Sequence, residues 1–320
     1  MTMETCIITG GAGAIGSQLV RALLARGTQR IIVVDNLSSG FHWLLPDDPR
    51  VEFVMYDVQC GGAYQVPLGA TVFHLAAFFA NQNSVDNPVA DLMTNGLGTL
   101  NVLSTAHLRG AARVVYTSAG CSIAGHNVVG PIHEELPPSL HLDTPYQVTK
   151  ALGEYYANYY GTIGLPVVRA RLFNSYGPGE VPGRYRNVIP NFIWAAMHDR
   201  PLVITGDGSE SRDFVAVEDV VGGLIMLAEH PDTPGEAVNL GGGHSYDVGT
   251  LAEHIIELTG SRSVIEYVPR RTWDRHTSRT AATTKAHRFG WEARVSLQDG
   301  LVKTIEWFRA EYKHIEGSLR

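Results

Sequence analysis

The 320-residue chain predicts an α/β fold, a doubly wound parallel sheet of the Rossmann type with a smaller α/β substrate lobe. Three observations carry this. A short apolar strand pattern at residues 6–9 runs into Gly10, Gly13 and Gly16 and then into a helical pattern. Through the first half, short β-branched runs alternate with helical stretches, as parallel strands with crossover helices require. Tyr146 and Lys150 lie four apart on a later helical stretch, where side chains share one face.

In chain order, strand patterns fall at residues 6–9, 31–35, 51–57, 71–77, 113–118 and 166–173. Helical patterns fall at 16–26 and 88–107, and a third carries Tyr146 and Lys150 to about residue 160. Beyond Asn174 the texture changes: a loop rich in glycine and proline spans 175–184, and a helix follows near 189–198. Residues 214–229 return to strand and then helix. We therefore assign 1–173 and 214–240 to a dinucleotide-binding domain, and 174–213 and 241–320 to a lobe that binds the substrate.

Composition narrows the function. Hydrophobic residues make up 44% and charged residues 18%, ordinary for a soluble enzyme. A net charge of −7 argues against a nucleic-acid surface. Cys6, Cys60 and Cys121 form neither a disulfide framework nor a close pair, which fits a reducing cytoplasm. No apolar stretch approaches the ~20 residues that span a bilayer, and residues 1–5 lack the basic start of a secretory signal. Thirteen histidines show no metal-ligand spacing, so no metal is expected.

Gly10, Gly13 and Gly16, with Ala14 and Ile15, allow a pyrophosphate to approach backbone N–H groups at a helix N-terminus. Asp35 ends the next strand, where a carboxylate accepts hydrogen bonds from an adenosine ribose and repels a 2′-phosphate. This favours NAD over NADP. Asp57 ends the third strand, either at the adenine position or as a strand-end cap, with Val58 next to it, and Leu75, Ala76 and Ala77 offer a small-residue surface for a cofactor or for close sheet packing. Tyr146 and Lys150 supply the chemistry. A phenol with a pKa of roughly 10 needs about 4 kcal/mol of phenolate stabilisation to titrate near 7. Lys150 and a cationic nicotinamide can share that task, and the implied reaction is oxidation of an alcohol.

These residues resemble the extended short-chain dehydrogenase/reductase family, specifically its nucleotide-sugar epimerases and dehydratases. The resemblance rests on residues 9–16, 34–40, 74–77, 95–99, 146–150, 171–179 and 206–214, in family order. It implies a tightly held NAD recycled within each turnover, with Asn36, Ser38, Gly40 and Asn95 added to its site. Asn174 and Arg212 resemble the residues that contact a sugar-nucleotide diphosphate, and Arg271, in Arg-Thr-Trp-Asp274, resembles a further grip. Phe78, Asn81, Val188 and Asp274 complete the expected substrate site, and a homodimer is implied through the helices at 88–107 and 146–160. Tyr155, Tyr156, Tyr159 and Tyr160 offer it aromatic contact area.

One segment departs from the family. Most members place a hydroxyl residue where Gly120 stands here, so either Ser118, Cys121 or Ser122 takes over its role or the role is missing. The acid pair of the 4,6-dehydratases falls on Cys121 and Ser122. Thiols ionise close enough to neutrality for proton transfer, but a lone cysteine is equally a small buried hydrophobe. The expectation is an unusual dehydratase: oxidation at sugar C4, then loss of the C6 hydroxyl. Chain length and the altered segment resemble the 5,6-dehydratases acting on UDP-N-acetylglucosamine in tunicamycin biosynthesis. A 4-epimerase is the alternative, and a non-catalytic NAD-binding sensor is the reading from another class.

Overall fold

A computed structural model describes residues 3–61, 66–126, 128–275 and 278–319. Seven parallel strands form its main sheet: β1 Thr5–Thr9, β2 Arg30–Asp35, β3 Val51–Met55, β4 Thr71–His74, β5 Arg113–Ala119, β6 Val167–Leu172 and β7 Ala237–Leu240. Their order is β7-β6-β5-β4-β1-β2-β3. The order reverses between β1 and β4, the switch point at whose carboxyl edge open α/β sheets bind ligands.

Period-two alternation distributes the core. Ile8, Val33, Val115, Val168 and Val238 face a layer built from α1 (Ala14–Ala25) and a helix over Val217–Glu229. Ile7, Ile32, Val72, Val114 and Tyr116 face the opposite layer, built from α2 (Thr99–Leu108) and α3 (Pro145–Thr162). Strands covered on both sides must be apolar on both, which is why these read as continuous hydrophobic runs. A separate core joins Ile189, Phe192 and Ile193 to Leu251, Ile255, Leu301 and Phe308.

Several boundaries differ from expectation. The strands expected at 51–57 and 71–77 end at Met55 and His74, and the residues beyond them turn into loops at the sheet's carboxyl edge. The helical run at 88–107 is interrupted by a π-helical stretch, Leu92–Gly98. Phe214–Ala216 pairs with Asn174–Tyr176 in a separate parallel ribbon, leaving the edge of the main sheet to β7. Of the tyrosines on α3, Tyr155 and Tyr159 are exposed, whereas Tyr160 is buried.

One buried ion pair fixes α3 to the sheet. Arg171 Nε and Nη2 donate to the two carboxylate oxygens of Glu154 at 2.9 and 2.8 Å, and Nη1 donates to the Glu134 carbonyl at 3.0 Å. Such a fork satisfies both groups, and removing one partner leaves the other buried and unpaired. Glu154→Ala is therefore expected to cost about 3–5 kcal/mol of stability in urea unfolding. A loss below about 1 kcal/mol, the range of exposed pairs, would refute the assignment.

Candidate active site

A cavity of about 520 Å³ lies between the carboxyl edge of the sheet and the second core. The loop after β1 forms one wall, and its glycines serve different ends. Gly10 has φ +72° and donates to the Val34 carbonyl at 2.8 Å; a Cβ there would lie 2.6 Å from the Ala76 nitrogen. A Cβ on Gly16 would lie 2.4 Å from the Gly10 carbonyl oxygen. Both are glycines because backbone meets backbone. Gly13 has only one such neighbour, at 3.2 Å, and faces the cavity at the N-terminus of α1.

Asp35 closes this wall. Its carboxylate accepts from the N–H groups of Ala12 at 3.0 Å and Leu37 at 2.8 Å. Burial pushes its pKa up, and those N–H bonds act the other way. Asn36 donates to Asp57 at 2.9 Å, and Asp57 also accepts from the Gln59 N–H at 2.9 Å. Asp57 is thus a strand-end cap that also lines the cavity. Ala14, Ile15, Ser38, Gly40, Val58, Leu75, Ala76 and Ala77 line it too.

The catalytic candidates sit where β5 meets α3. Thr144 caps the helix, and its hydroxyl donates to the Asn81 side chain at 2.7 Å; the Tyr146 N–H donates to Ser84 Oγ at 3.0 Å. Lys150 Nζ donates to the Thr117 carbonyl at 3.0 Å and lies 5.8 Å from the centre of the Tyr146 ring. Burial lowers the Lys150 pKa to about 8, with the Asp91 charge opposing. Burial also drives the Tyr146 phenol above its ordinary value, helped by Cys121 and Asp91. Burial and these neighbours thus oppose the phenolate, and a cation beside the ring favours it.

Gly120 has a mechanical cause: a Cβ there would lie 2.7 Å from the Phe173 ring. The turn Gly120–Ile123 presents Cys121 and Ser122, both buried, to the cavity. Ser118 joins them; its hydroxyl is buried with no partner among the described residues, whereas the Thr117 hydroxyl donates to the His74 carbonyl.

Across the cavity, Asn174, Val188, Arg212, Arg271 and Asp274 all reach the lining. Arg212 pairs with Asp274 at 3.2 Å, and the Arg271 guanidinium lies 5.7 Å over the Trp273 ring. Two expected residues stand apart from it. Asn95 accepts from the Phe78 N–H at 2.8 Å and donates to the Phe78 carbonyl at 3.1 Å and to Asp91 at 2.8 Å. It is a buried clamp on the loop after β4, so Phe79, packed edge-on to Tyr146, lines the cavity in place of Phe78. Sequence reasoning missed Trp273, Glu180 and Arg279. Glu180, pushed by burial to about 7, and the buried Arg279 stood in sequence only as one charge among many. Among the described residues no cluster of His, Cys, Asp or Glu could hold a metal.

The profile of the NAD dependent epimerase/dehydratase family matches residues 6–241. The chain is 34% identical over 311 residues to a UDP-glucose 4-epimerase of Mycolicibacterium smegmatis, covering 95% of this chain and 98% of the other. Among solved structures, epimerase Mth375 of Methanothermobacter thermautotrophicus superposes with a TM-score of 0.93 at 45% identity, covering 99% and 95%. The Bordetella bronchiseptica enzyme WbmF in complex with NAD+ and UDP gives 0.84 at 37%, also covering 99% and 95%. The chain belongs to the NAD-dependent epimerase/dehydratase family of nucleotide-sugar enzymes, and its cofactor is NAD.

Behind Lys150, His74 is sealed in the core. Its ring bonds the hydroxyls of Thr9 at 2.7 Å and Thr99 at 3.0 Å. Burial, and then the Lys150 charge, lower its pKa from 6.5 to about 3. Between these values the unfolded chain binds a proton that the fold excludes, so stability falls as pH drops from 6.5 toward 3. His74→Gln should flatten that slope in urea unfolding between about pH 6 and 4. An unchanged slope would show that His74 carries none of it.

Proposed function

We propose that the protein is a 4-epimerase acting on a UDP-linked sugar, with Tyr146 moving the proton of the C4 hydroxyl. The observation that carries this is the Ser118 hydroxyl, buried, unpartnered and on the Tyr146 wall, which supplies the contact to the reacting oxygen that Gly120 lacks. The cradle suits NAD. Gly13 leaves room at the start of α1 for a pyrophosphate, and Asp35 is fixed to accept from ribose hydroxyls and to repel a 2′-phosphate. Asn36, Ser38, Gly40, Asp57 and Val58 would border the adenosine, and Leu75–Ala77 its mid-portion. NAD, when bound, accepts a hydride and gives it back within the turnover.

The chain's own residues do the rest. Tyr146 Oη takes the C4 hydroxyl proton and returns it. Lys150 retains donors beyond its bond to Thr117, and its cation favours the phenolate. Arg212, oriented by Asp274, would grip the diphosphate with Asn174 and Arg271. UDP is favoured because the related WbmF structure holds it and the M. smegmatis relative is a UDP-glucose 4-epimerase.

Cys121 supports a second reading. It lines the cavity close enough to Tyr146 to influence the phenol, where a proton shuttle to C5 and C6 belongs. That arrangement serves a dehydratase of UDP-N-acetylglucosamine, giving a 5,6-ene when hydride returns to C4. We place the protein in the cytoplasm, where its three free thiols stay reduced. Its homodimer face is proposed around the exposed Val89, Leu92, Val148, Tyr155 and Tyr159.

The test is incubation with UDP-glucose, UDP-N-acetylglucosamine and UDP-glucuronate, without added cofactor, read by mass spectrometry and NMR. Unchanged mass with inverted C4 is expected; loss of water would establish the dehydratase instead. Tyr146→Phe should lower kcat by about 10²–10⁴-fold, and a silent variant would favour a non-catalytic sensor. Cys121→Ala should leave an epimerase within about tenfold of wild type but abolish a dehydratase's product. For the dimer, Tyr159→Asp should shift sedimentation from dimer to monomer; a wild-type monomer would end that assignment.

A further inference from the structure

Two buried arginines line up very differently. Arg171 is matched by a carboxylate, fork to fork. Arg279, 7% exposed, has no carboxylate at salt-bridge distance and an Nε without a hydrogen-bond partner among the described residues. Its backbone is fixed: the Arg279 carbonyl accepts from the Asp213 N–H at 3.0 Å, and the Ala281 N–H donates to the Asp213 carboxylate at 2.9 Å. The guanidinium lies against Cys121, with Arg212 and Asp274 beyond it. Asp274 is already held by Arg212. Arg279 therefore lines the cavity as a buried cation that has Cys121 beside it but no carboxylate of its own among the described residues, so a ligand carboxylate would complete it.

We infer that Arg279 recognises a carboxylate on the sugar, so that the substrate class is a UDP-hexuronate. Arg279 and Tyr146 line the same cavity, and Cys121 lies close enough to influence both. With the C4 hydroxyl at Tyr146, the substituent one carbon removed is C6, borne on C5. When C6 is a carboxylate, its two oxygens match the planar donors of a guanidinium; a hydroxymethyl group leaves the cation unmatched. The inference rests on the 4-epimerase reading, because a hexuronate has no C6 hydroxyl to expel. Arg279 is then a specificity-determining residue, distinct from the diphosphate grip.

The experiment is equilibrium binding of UDP-glucuronate, UDP-glucose and UDP to the NAD-loaded Tyr146→Phe protein, which holds ligands without turning them over. UDP-glucuronate should bind at least about tenfold tighter than UDP-glucose. Arg279→Gln should reduce that preference to within about twofold while leaving UDP affinity unchanged, and Arg279→Lys should restore part of it. Equal affinity of the unsubstituted Arg279 protein for the two sugars overturns the inference without any variant at this position. Weakening of UDP and both sugar nucleotides by one common factor also overturns it, making Arg279 part of the diphosphate grip. Failure of the 4-epimerase reading shows up separately, as absence of C4 inversion by wild-type enzyme despite an intact binding preference.

Discussion

Lys150 is a cation buried at the carboxyl edge of the sheet, and much of the surrounding structure is arranged around keeping it there. Its ammonium donates to the Thr117 carbonyl, and burial brings its pKa down to about 8. Asp91 offsets part of that cost from behind the helix, while Thr149 and Asn95 hold the Asp91 carboxylate by hydrogen bonds of 2.7 and 2.8 Å. Asn95 in turn clamps the loop that carries Phe79 against Tyr146. Hydrogen bonds thus run from the buried Asp91 through Asn95 to the loop that holds Phe79 against Tyr146, with the Lys150 charge close by.

The same region shows how close packing limits chemistry. Tyr116 packs beneath α3 so tightly that a Cβ on Gly153 would lie 2.0 Å from its hydroxyl, and Phe173 fills the space a side chain at position 120 would need. We assign the contact of the hydroxyl expected there to Ser118, whose buried Oγ has no partner among the described residues. The Phe173 ring leaves no room at position 120, so packing accounts for the departure from the family pattern. It does not follow that the group is lost.

The second core and the segments beside it supply the arginines of the cavity, and side-chain bonds tie them to the loops of the sheet. Trp273 Nε1 donates to Gln82 at 2.9 Å, and Arg186 bonds the Ser39 carbonyl. Glu180, buried beside Arg186 and pushed up to about 7, accepts from the Asn187 N–H. These contacts cross the mouth of the cavity. Arg212, Arg271 and Arg279 thereby share one cavity with the glycine loop and the Tyr146–Lys150 pair.

The sequence by itself determined the alternating strands and helices, the glycine loop with Asp35, and the Tyr146–Lys150 pair. These are local patterns: a period of two or 3.6 and a spacing of four define which face a side chain takes. It also marked residues 118–122 as abnormal, without showing which group serves in place of the missing hydroxyl. Only the tertiary structure decided that Asn95 clamps a loop away from the cavity, that Phe79 lines it instead of Phe78, and that Phe173 excludes a side chain at Gly120. It alone brought Arg279 to Cys121 and matched Arg171 with Glu154. Those outcomes depend on which side chains meet after distant segments pack. Burial then determines whether a charge finds a partner or is left waiting for one.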